Sequence, residues 1–337
     1  MAVQPVLASL ADRDRRFTSR RLAMALTGLL LLCAVGLWCS AGSMAVTAAL
    51  YVLVGISLTA TAPFHSAMAM ELQQHGVALN YGLSRGLGSA CYAASVLVLG
   101  VVVERYAPTA VLPVFTGEML LLLLLTWRFR ASPTAAAAAG SGPVLSVGQL
   151  LRRYPAYTWL LVGCALLMAC HSATCTYMIH IVGKVGGSES MMGSALAVAA
   201  FLELPAMGLF SRMRQRLSLA WLLRLCAGAF LAKIVVFWLA ESMTAIYLAS
   251  VLQFFEYGIF TPATVYYVVE HIDRGNQVKG QALISVASSG VGSAFGSLCC
   301  GLILDRAGVS GMLLFEVACA AAGCVVMLLA TGEGKRK

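Results

Sequence analysis

The chain has 337 residues, of which 60% are hydrophobic and only 11% are charged, and its formal net charge is +9. About a quarter of the residues are charged in an average soluble domain, so this composition excludes an ordinary soluble protein. Apolar runs of about 20 residues indicate helices that cross ~30 Å of hydrocarbon, and these runs lack the two-residue alternation of barrel strands. We therefore predict an all-α membrane protein.

The apolar runs predict ten membrane-spanning helices, at residues 22–40, 44–69, 85–103, 110–127, 157–182, 191–210, 218–239, 244–268, 280–303 and 311–330. If the N-terminus is cytoplasmic, the inner segments hold 18 of the 23 Lys and Arg residues, and the outer loops hold three. Basic residues concentrate in cytoplasmic loops, so both termini are predicted to be cytoplasmic. The positive charge is then a topology signal, and no nucleic acid is expected as a partner.

The sequence also indicates two related halves. Residues 129–156, which begin "FRASPTAAAAAGSGPV", are rich in Ala, Gly, Ser and Pro and indicate a flexible cytoplasmic linker. The pattern Gly-x-Gly-Ser occurs at 86–89 and again at 290–293, 204 residues later. Arginine-rich loops at 10–21 and 209–218 recur at nearly the same offset. This self-similarity predicts a parallel repeat of six helices.

The two halves differ in their number of predicted spans. Residues 1–128 hold four spans and are predicted to form an incomplete N-terminal bundle, whereas 157–337 hold six spans and are predicted to form the C-terminal bundle. In the second half, the arginine-rich loop (209–218) follows the second span. In the first half, the corresponding loop (10–21) precedes the first span. We therefore expect the first two helices of the N-terminal repeat to be absent from this chain.

Four segments carry a family resemblance: "SLADRDRRFTSRR" (9–21), "NYGLSRGLGS" (80–89), "FLELP" (201–205) and "KGQALISVASSGVGSAFGSLCCGLILDRAG" (279–308). They resemble, in this order, a loop motif and the fifth, eighth and eleventh helices of the major facilitator superfamily. The similarity is to its lactose permease-like and phenylpropionate-type proton symporters, although the glycines of the loop motif are missing. The resemblance implies a two-bundle fold and secondary active transport of a small organic solute, coupled to protons by alternating access.

A glutamate interrupts the apolar run "SVLQFFEYGIFTPATVYY" (250–267), and a lysine interrupts the preceding span. An ionisable group within lipid costs at least a few kcal/mol, so each is a functional candidate. Glu256 and Lys233 should differ in depth by roughly 7 Å, and an ion pair would offset the burial of both charges. The resemblance places Glu256 at the proton-carrying carboxylate of the family, Gln253 at a neighbouring histidine and Lys233 at an arginine. We expect these three residues to couple transport to protons; the alternative is a pair that only ties two helices together.

The resemblance also implies substrate contacts. Glu203 matches a ligand of sugar hydroxyls, and a carboxylate can accept two hydroxyl hydrogen bonds at once. Arg85 matches an arginine that holds the sugar, but it lies near the cytoplasmic end of its helix, where it could snorkel to water. Ser66 replaces a sugar-binding glutamate, and His171 stands where the family has acids. Helix packing is the alternative for each, and the loss of the Arg–Glu clamp argues against a galactoside.

Other polar groups in the spans point to no further chemistry. Glu118 and Glu316 lie early in the last helix of each half, where structural pairing is expected, and the cysteines are expected to pack between helices. No phosphate-binding loop, HExxH motif or nucleophile elbow occurs, so we expect no enzyme, no metal and no cofactor beyond the transmembrane proton gradient. The expected partners are the lipid bilayer and a solute of the sugar, nucleoside or organic acid class. The expected form is a monomer in the plasma membrane, and the alternative is a truncated remnant or fragment that does not transport.

Overall fold

The computed structural model describes residues 18–39, 43–74, 81–129, 145–273 and 276–332. Within these ranges the chain forms thirteen α-helices and no β-strand. The helices are α1 (Ser19–Cys39), α2 (Met44–Gln74), α3 (Tyr81–Arg105), α4 (Val111–Arg128), α5 (Val147–Arg153), α6 (Pro155–Thr176), α7 (Met178–Lys184), α8 (Glu189–Arg216), α9 (Leu219–Leu239), α10 (Met243–Val251), α11 (Tyr257–His271), α12 (Gln277–Ser285) and α13 (Ser293–Gly332).

Nine helical stretches of the described chain are long and apolar enough to cross a membrane. The longest, Lys279–Gly332, contains two of the predicted spans. These two are separated at Gly308, whose φ of +65° lies in the left-handed region that favours glycine. Every predicted span therefore overlaps a helical stretch of the described chain, and the predicted all-α, multi-span membrane fold is confirmed.

The chain divides into two compact units. One comprises Met1–Tyr81 with Arg105–Ala138, and the other comprises Gly82–Glu104 with Ala139–Lys337. Helix α3 thus belongs to the larger unit, together with all helices from α5 onward. The predicted bundle and linker boundaries stay a prediction, and residues 130–144 of the linker lie outside the described chain. Most of the first arginine-rich loop, up to residue 17, also lies outside it.

In the smaller unit, α1 packs against α2 and α4. Its buried core is formed by Leu22, Ala23, Phe64 and Met68. Arg20 at the start of α1 donates from Nε to the main-chain oxygen of Thr126 near the end of α4, over 3.1 Å. Apolar packing therefore joins α1 to α2, and a hydrogen bond joins it to the last turn of α4.

In the larger unit, the backbone of α6 lies very close to the backbone of α13 and of the residues just before it. A Cβ atom at Gly296 would lie 2.1 Å from the carbonyl oxygen of Ala169, and one at Gly292 would lie 2.4 Å from that of Ala165. Only a hydrogen in place of a side chain lets the two backbones meet at these positions. The contact fixes α6, which carries several residues of the site described below.

The predicted span 244–268 is not one continuous α-helix. Helix α10 ends at Val251, a 3₁₀ turn follows at Leu252–Phe254, and α11 begins at Tyr257. Glu256, at the break, has a non-helical ψ of −99°. Its main-chain oxygen accepts hydrogen bonds from the Cys226 thiol at 3.2 Å and from the amide of the fourth residue after it at 3.0 Å. The break places the glutamate side chain at a discontinuity, which the apolar pattern does not predict.

The α6–α13 contact predicts a strong effect for Gly296→Ala. The added methyl group would force the backbones apart, so we expect a loss of about 1–3 kcal/mol in unfolding free energy. The measurement is thermal unfolding of the protein in detergent. The control is Gly228→Ala, since no atom lies within 4 Å of a Cβ at this helical glycine. Its stability should stay the same or rise, because alanine favours helix. Equal losses in both variants would contradict the packing interpretation.

Candidate functional site

A cavity of about 270 Å³ lies within the larger unit. It is bounded by α3, α6, α7, α8, α9 and the broken region between α10 and α11. Its polar lining includes Ser89, His171, Thr174, Glu203, Lys233 and Gln253. A concave space with a few convergent polar groups is typical of a site for a small molecule.

Glu203 joins three elements at the cavity wall. Gln253 donates from Nε2 to Glu203 Oε1 over 2.8 Å, and Ser89 donates from Oγ to Glu203 Oε2 over 2.9 Å. The Glu203 side chain is buried, and both of its oxygens are hydrogen-bonded. A carboxylate has further lone pairs, so Glu203 can still accept a hydrogen bond from a molecule in the cavity.

A second carboxylate, Glu256, lies next to the only lysine that lines the cavity within the described chain. Lys233 donates from Nζ to Glu256 Oε2 over 2.7 Å and to Gln253 Oε1 over 2.5 Å. Both charged side chains are almost completely buried, with 5% of Lys233 and 2% of Glu256 exposed. The predicted contact between Lys233 and Glu256 is therefore present. Gln253 also links this ion pair to Glu203.

His171 completes the surroundings of Glu256. Its Nδ1 lies 3.1 Å from Glu256 Oε1, and its ring stacks on Tyr257 with centroids 4.7 Å apart. On the other side, the Cys175 thiol lies 3.8 Å from Nε2. A neutral imidazole that donates from Nδ1 to the carboxylate and accepts from the thiol at Nε2 satisfies this geometry. His171 thus lines the cavity as a substrate ligand would, and it also contacts the carboxylate expected to bind the proton.

The charges of this cluster balance only after one proton is added. Lys233 carries one positive charge, whereas Glu203 and Glu256 carry two negative charges when both are ionised. Buried charges require compensation by neighbouring charges or hydrogen bonds. Binding of one proton by His171 or by either carboxylate makes the cluster neutral. The arrangement can therefore hold one proton in a neutral state, and release of that proton leaves a single net negative charge among hydrogen-bonded groups.

For the two remaining predicted substrate residues, Ser66 and Arg85, the structure gives only the helix on which each lies. Ser66 lies in α2 and Arg85 in α3, but both side chains lie outside the described part of the structure. Sequence reasoning missed Ser89 and Cys175 as cavity residues. Ser89 had an available signal, because it is the serine of the repeated Gly-x-Gly-Ser pattern.

The fold and cavity define a class of protein, the multi-pass membrane transporters. Residues 1–316 match the family model described as the MFS_1 like family, and the chain belongs to that family. It is therefore a transporter of the major facilitator type, and this confirms the superfamily that the sequence motifs indicated.

Individual relatives agree with the family. The chain is similar to the maltose permease of Geobacillus stearothermophilus, with 27% identity over 330 residues that cover 98% of this chain and 82% of the permease. It is also 23% identical over 245 residues to the uncharacterized transporter YwbF of Bacillus subtilis, covering 71% of this chain and 59% of YwbF.

Solved structures show the same fold. The nucleoside transporter NupG superposes with a TM-score of 0.72 at 13% identity, covering 99% of this chain and 87% of NupG. The E. coli fucose:proton symporter FucP superposes with a TM-score of 0.53 at 14% identity, covering 93% of this chain and 84% of FucP.

The buried ion pair predicts a non-additive response to mutation. Lys233→Met would leave the Glu256 carboxylate buried without its lysine, so we expect a loss of about 3–5 kcal/mol in unfolding free energy. The double variant Lys233→Met/Glu256→Gln removes both charges and should recover most of that loss. The measurement is thermal unfolding of the three proteins in detergent.

A control for this comparison is the more exposed pair of Arg214 and Glu270, whose side chains are 32% and 35% exposed. Arg214→Ala should cost no more than about 1 kcal/mol, because solvent screens the pair. If the double variant is as unstable as Lys233→Met, the unpaired charge is not the cause of the loss.

Proposed function

We propose that this protein is a secondary active transporter that couples uptake of a small, uncharged, hydroxyl-rich solute to a proton. The single observation that supports this most strongly is the unbroken chain of hydrogen bonds from Ser89 through Glu203, Gln253 and Lys233 to Glu256. One end of this chain lines the cavity, and the other holds a buried carboxylate. A solute and a proton bound at the two ends would therefore affect one another.

The lining favours a sugar or nucleoside over an organic acid. Lys233 is the cation that the described lining offers, and Glu256 and Gln253 already engage its ammonium group. A negatively charged solute would have to compete with Glu256 for it. Hydroxyl groups, by contrast, can donate to Glu203 and exchange hydrogen bonds with Ser89 and Thr174. The similar proteins named as a maltose permease, a nucleoside transporter and a fucose:proton symporter support the same class of substrate.

Glu256 is the proposed proton carrier. While it is ionised, Lys233 compensates its charge and His171 donates a hydrogen bond to it. Once it is protonated, it no longer compensates Lys233, and the ammonium group is drawn more strongly toward Gln253 and Glu203. Glu203 then presents a different charge environment to the solute. This electrostatic link is the proposed basis of coupling, and the energy source is the proton gradient rather than a cofactor or a chemical reaction.

We further propose that the protein is a monomer in the plasma membrane. The excess of basic residues in the predicted inner segments supports a cytoplasmic position for both termini. Protease accessibility of a C-terminal tag in right-side-out and inverted vesicles tests this orientation. Digestion only in the inverted vesicles is expected, and digestion only in right-side-out vesicles would reverse it.

The proton role predicts that Glu256→Gln loses accumulation but keeps exchange. The amide cannot carry a proton, so a pH gradient should no longer drive uptake, while solute exchange at equal pH continues. The measurement uses proteoliposomes and a panel of labelled maltose, a nucleoside and an organic acid. Glu241→Gln, in the exposed turn before α10, is the control and should accumulate solute like the wild type.

Two other outcomes would each be decisive. Accumulation against a gradient by Glu256→Gln would show that the proton binds elsewhere. Absence of binding, exchange and uptake of every solute in the wild-type protein would support the alternative of a non-transporting remnant or fragment.

The substrate role predicts weaker solute binding for Glu203→Gln. A glutamine has one acceptor oxygen where Glu203 has two, and its amide group would face either Ser89 or Gln253. We expect KM for exchange to rise about tenfold or more, corresponding to the ~1.4 kcal/mol of one hydrogen bond to a charged group. Initial rates of exchange over a range of solute concentrations measure it. An unchanged KM would remove Glu203 from the substrate site.

A further inference from the structure

A third buried carboxyl group lies behind the cavity wall. Glu316, in the second part of α13, is 1% exposed. Thr174 donates from Oγ1 to Glu316 Oε2 over 2.8 Å, and the Cys300 thiol lies 3.7 Å from Oε1. Because Thr174 also lines the cavity, a single hydroxyl group connects Glu316 with it.

Glu316 differs from the other two buried glutamates in its partners. Within the described chain, no lysine, arginine or histidine forms an ion pair with it. Glu256 has Lys233, and Glu203 accepts from an amide and a hydroxyl. The expected structural pairing of Glu316 is therefore made with a hydroxyl and a thiol, and a thiol is only a weak donor. Such surroundings favour the neutral acid over a carboxylate.

The elements packed around Glu316 supply little further compensation. Helix α6 brings Thr174 and Cys170, whose thiol donates to the Glu316 main-chain oxygen over 3.3 Å. The first part of α13 brings Cys300, whereas Cys319 from its second part packs in one buried cluster with Cys170. Helix α6 also connects Glu316 with the ion pair of Lys233 and Glu256, because His171, which contacts Glu256, lies about one turn before Thr174 on that helix.

We propose that Glu316 is a second proton-binding site, neutral in the state that the structure shows and linked electrostatically to Glu256. While Glu256 is ionised, its charge compensates Lys233, and Glu316 keeps its proton. When Glu256 binds a proton, the Lys233 charge becomes available to stabilise an ionised Glu316. For this proton to leave, the Thr174 hydroxyl group turns to accept it from the Glu316 carboxyl group and releases its own proton toward the cavity. The use of this proton in transport rests on the proposed function, whereas the existence of the site does not.

Infrared difference spectroscopy of the whole protein in lipid vesicles tests the site without a transport assay. A neutral, buried carboxyl group gives a C=O stretching band apart from that of solvated acids. We expect this band near neutral pH in the wild type and its loss in Glu316→Gln, with Glu118→Gln as the control that keeps it. Thr174→Val should shift the band and Thr174→Ser should preserve it. An unchanged band in Glu316→Gln would overturn the proposal, as would the absence of any such band in the wild type.

The pH dependence of the Glu316 infrared band tests the electrostatic link between Glu316 and Glu256. In Glu256→Gln a neutral group replaces a carboxylate near Glu316, so the Glu316 band should disappear at a lower pH than in the wild type. If the Glu316 band disappears at the same pH in Glu256→Gln as in the wild type, Glu316 is a buried acid, and its electrostatic link to Glu256 is refuted. These results are separable from the proposed function, because proton-driven uptake that survives Glu256→Gln would refute the Glu256 role while the infrared band still reports on Glu316.

Discussion

The organisation of the site depends on one buried ion pair. Lys233 and Glu256 lie on different helices, and each would be costly in the membrane interior without the other. Their contact of 2.7 Å holds α9 against the break between α10 and α11. The break in turn brings Gln253 between the lysine and Glu203. Without this pair, Gln253 would lose its contact with Lys233, and His171 would lose its contact with Glu256.

Packing of small residues provides the rigid frame for this pair. The close backbone contact of Gly296 with Ala169 fixes α6 two residues before His171. His171 and Thr174 then project from nearby positions of one helix to two different carboxyl groups, Glu256 and Glu316. A movement of α6 would alter both contacts together. The contact between Gly296 and Ala169 thus positions, through α6, the side chains that hydrogen-bond to Glu256 and Glu316.

The fold could be predicted from the sequence because a membrane helix satisfies its backbone hydrogen bonds within its own segment. Each apolar run therefore indicates a helix without information from the rest of the chain. The sequence also predicted the Lys233–Glu256 contact, since two isolated charges in consecutive spans have few other partners. It did not predict the break at Glu256, which has no proline or glycine at the residue itself. Nor did it predict that His171 contacts Glu256, because that contact depends on how helices distant in the chain pack together.

Gln253 explains how Glu203 and Lys233 can influence each other without a titratable group between them. Its amide oxygen accepts from the Lys233 ammonium, and its amide nitrogen donates to the Glu203 carboxylate. Each neighbour requires the same orientation of the amide, so the positive and negative ends are aligned along the chain. A change in the charge of Glu256 alters how strongly Lys233 attracts the amide oxygen, and therefore how firmly the amide nitrogen is held toward Glu203. An amide in this position can transmit a change of charge while the proton itself stays with the acids and His171.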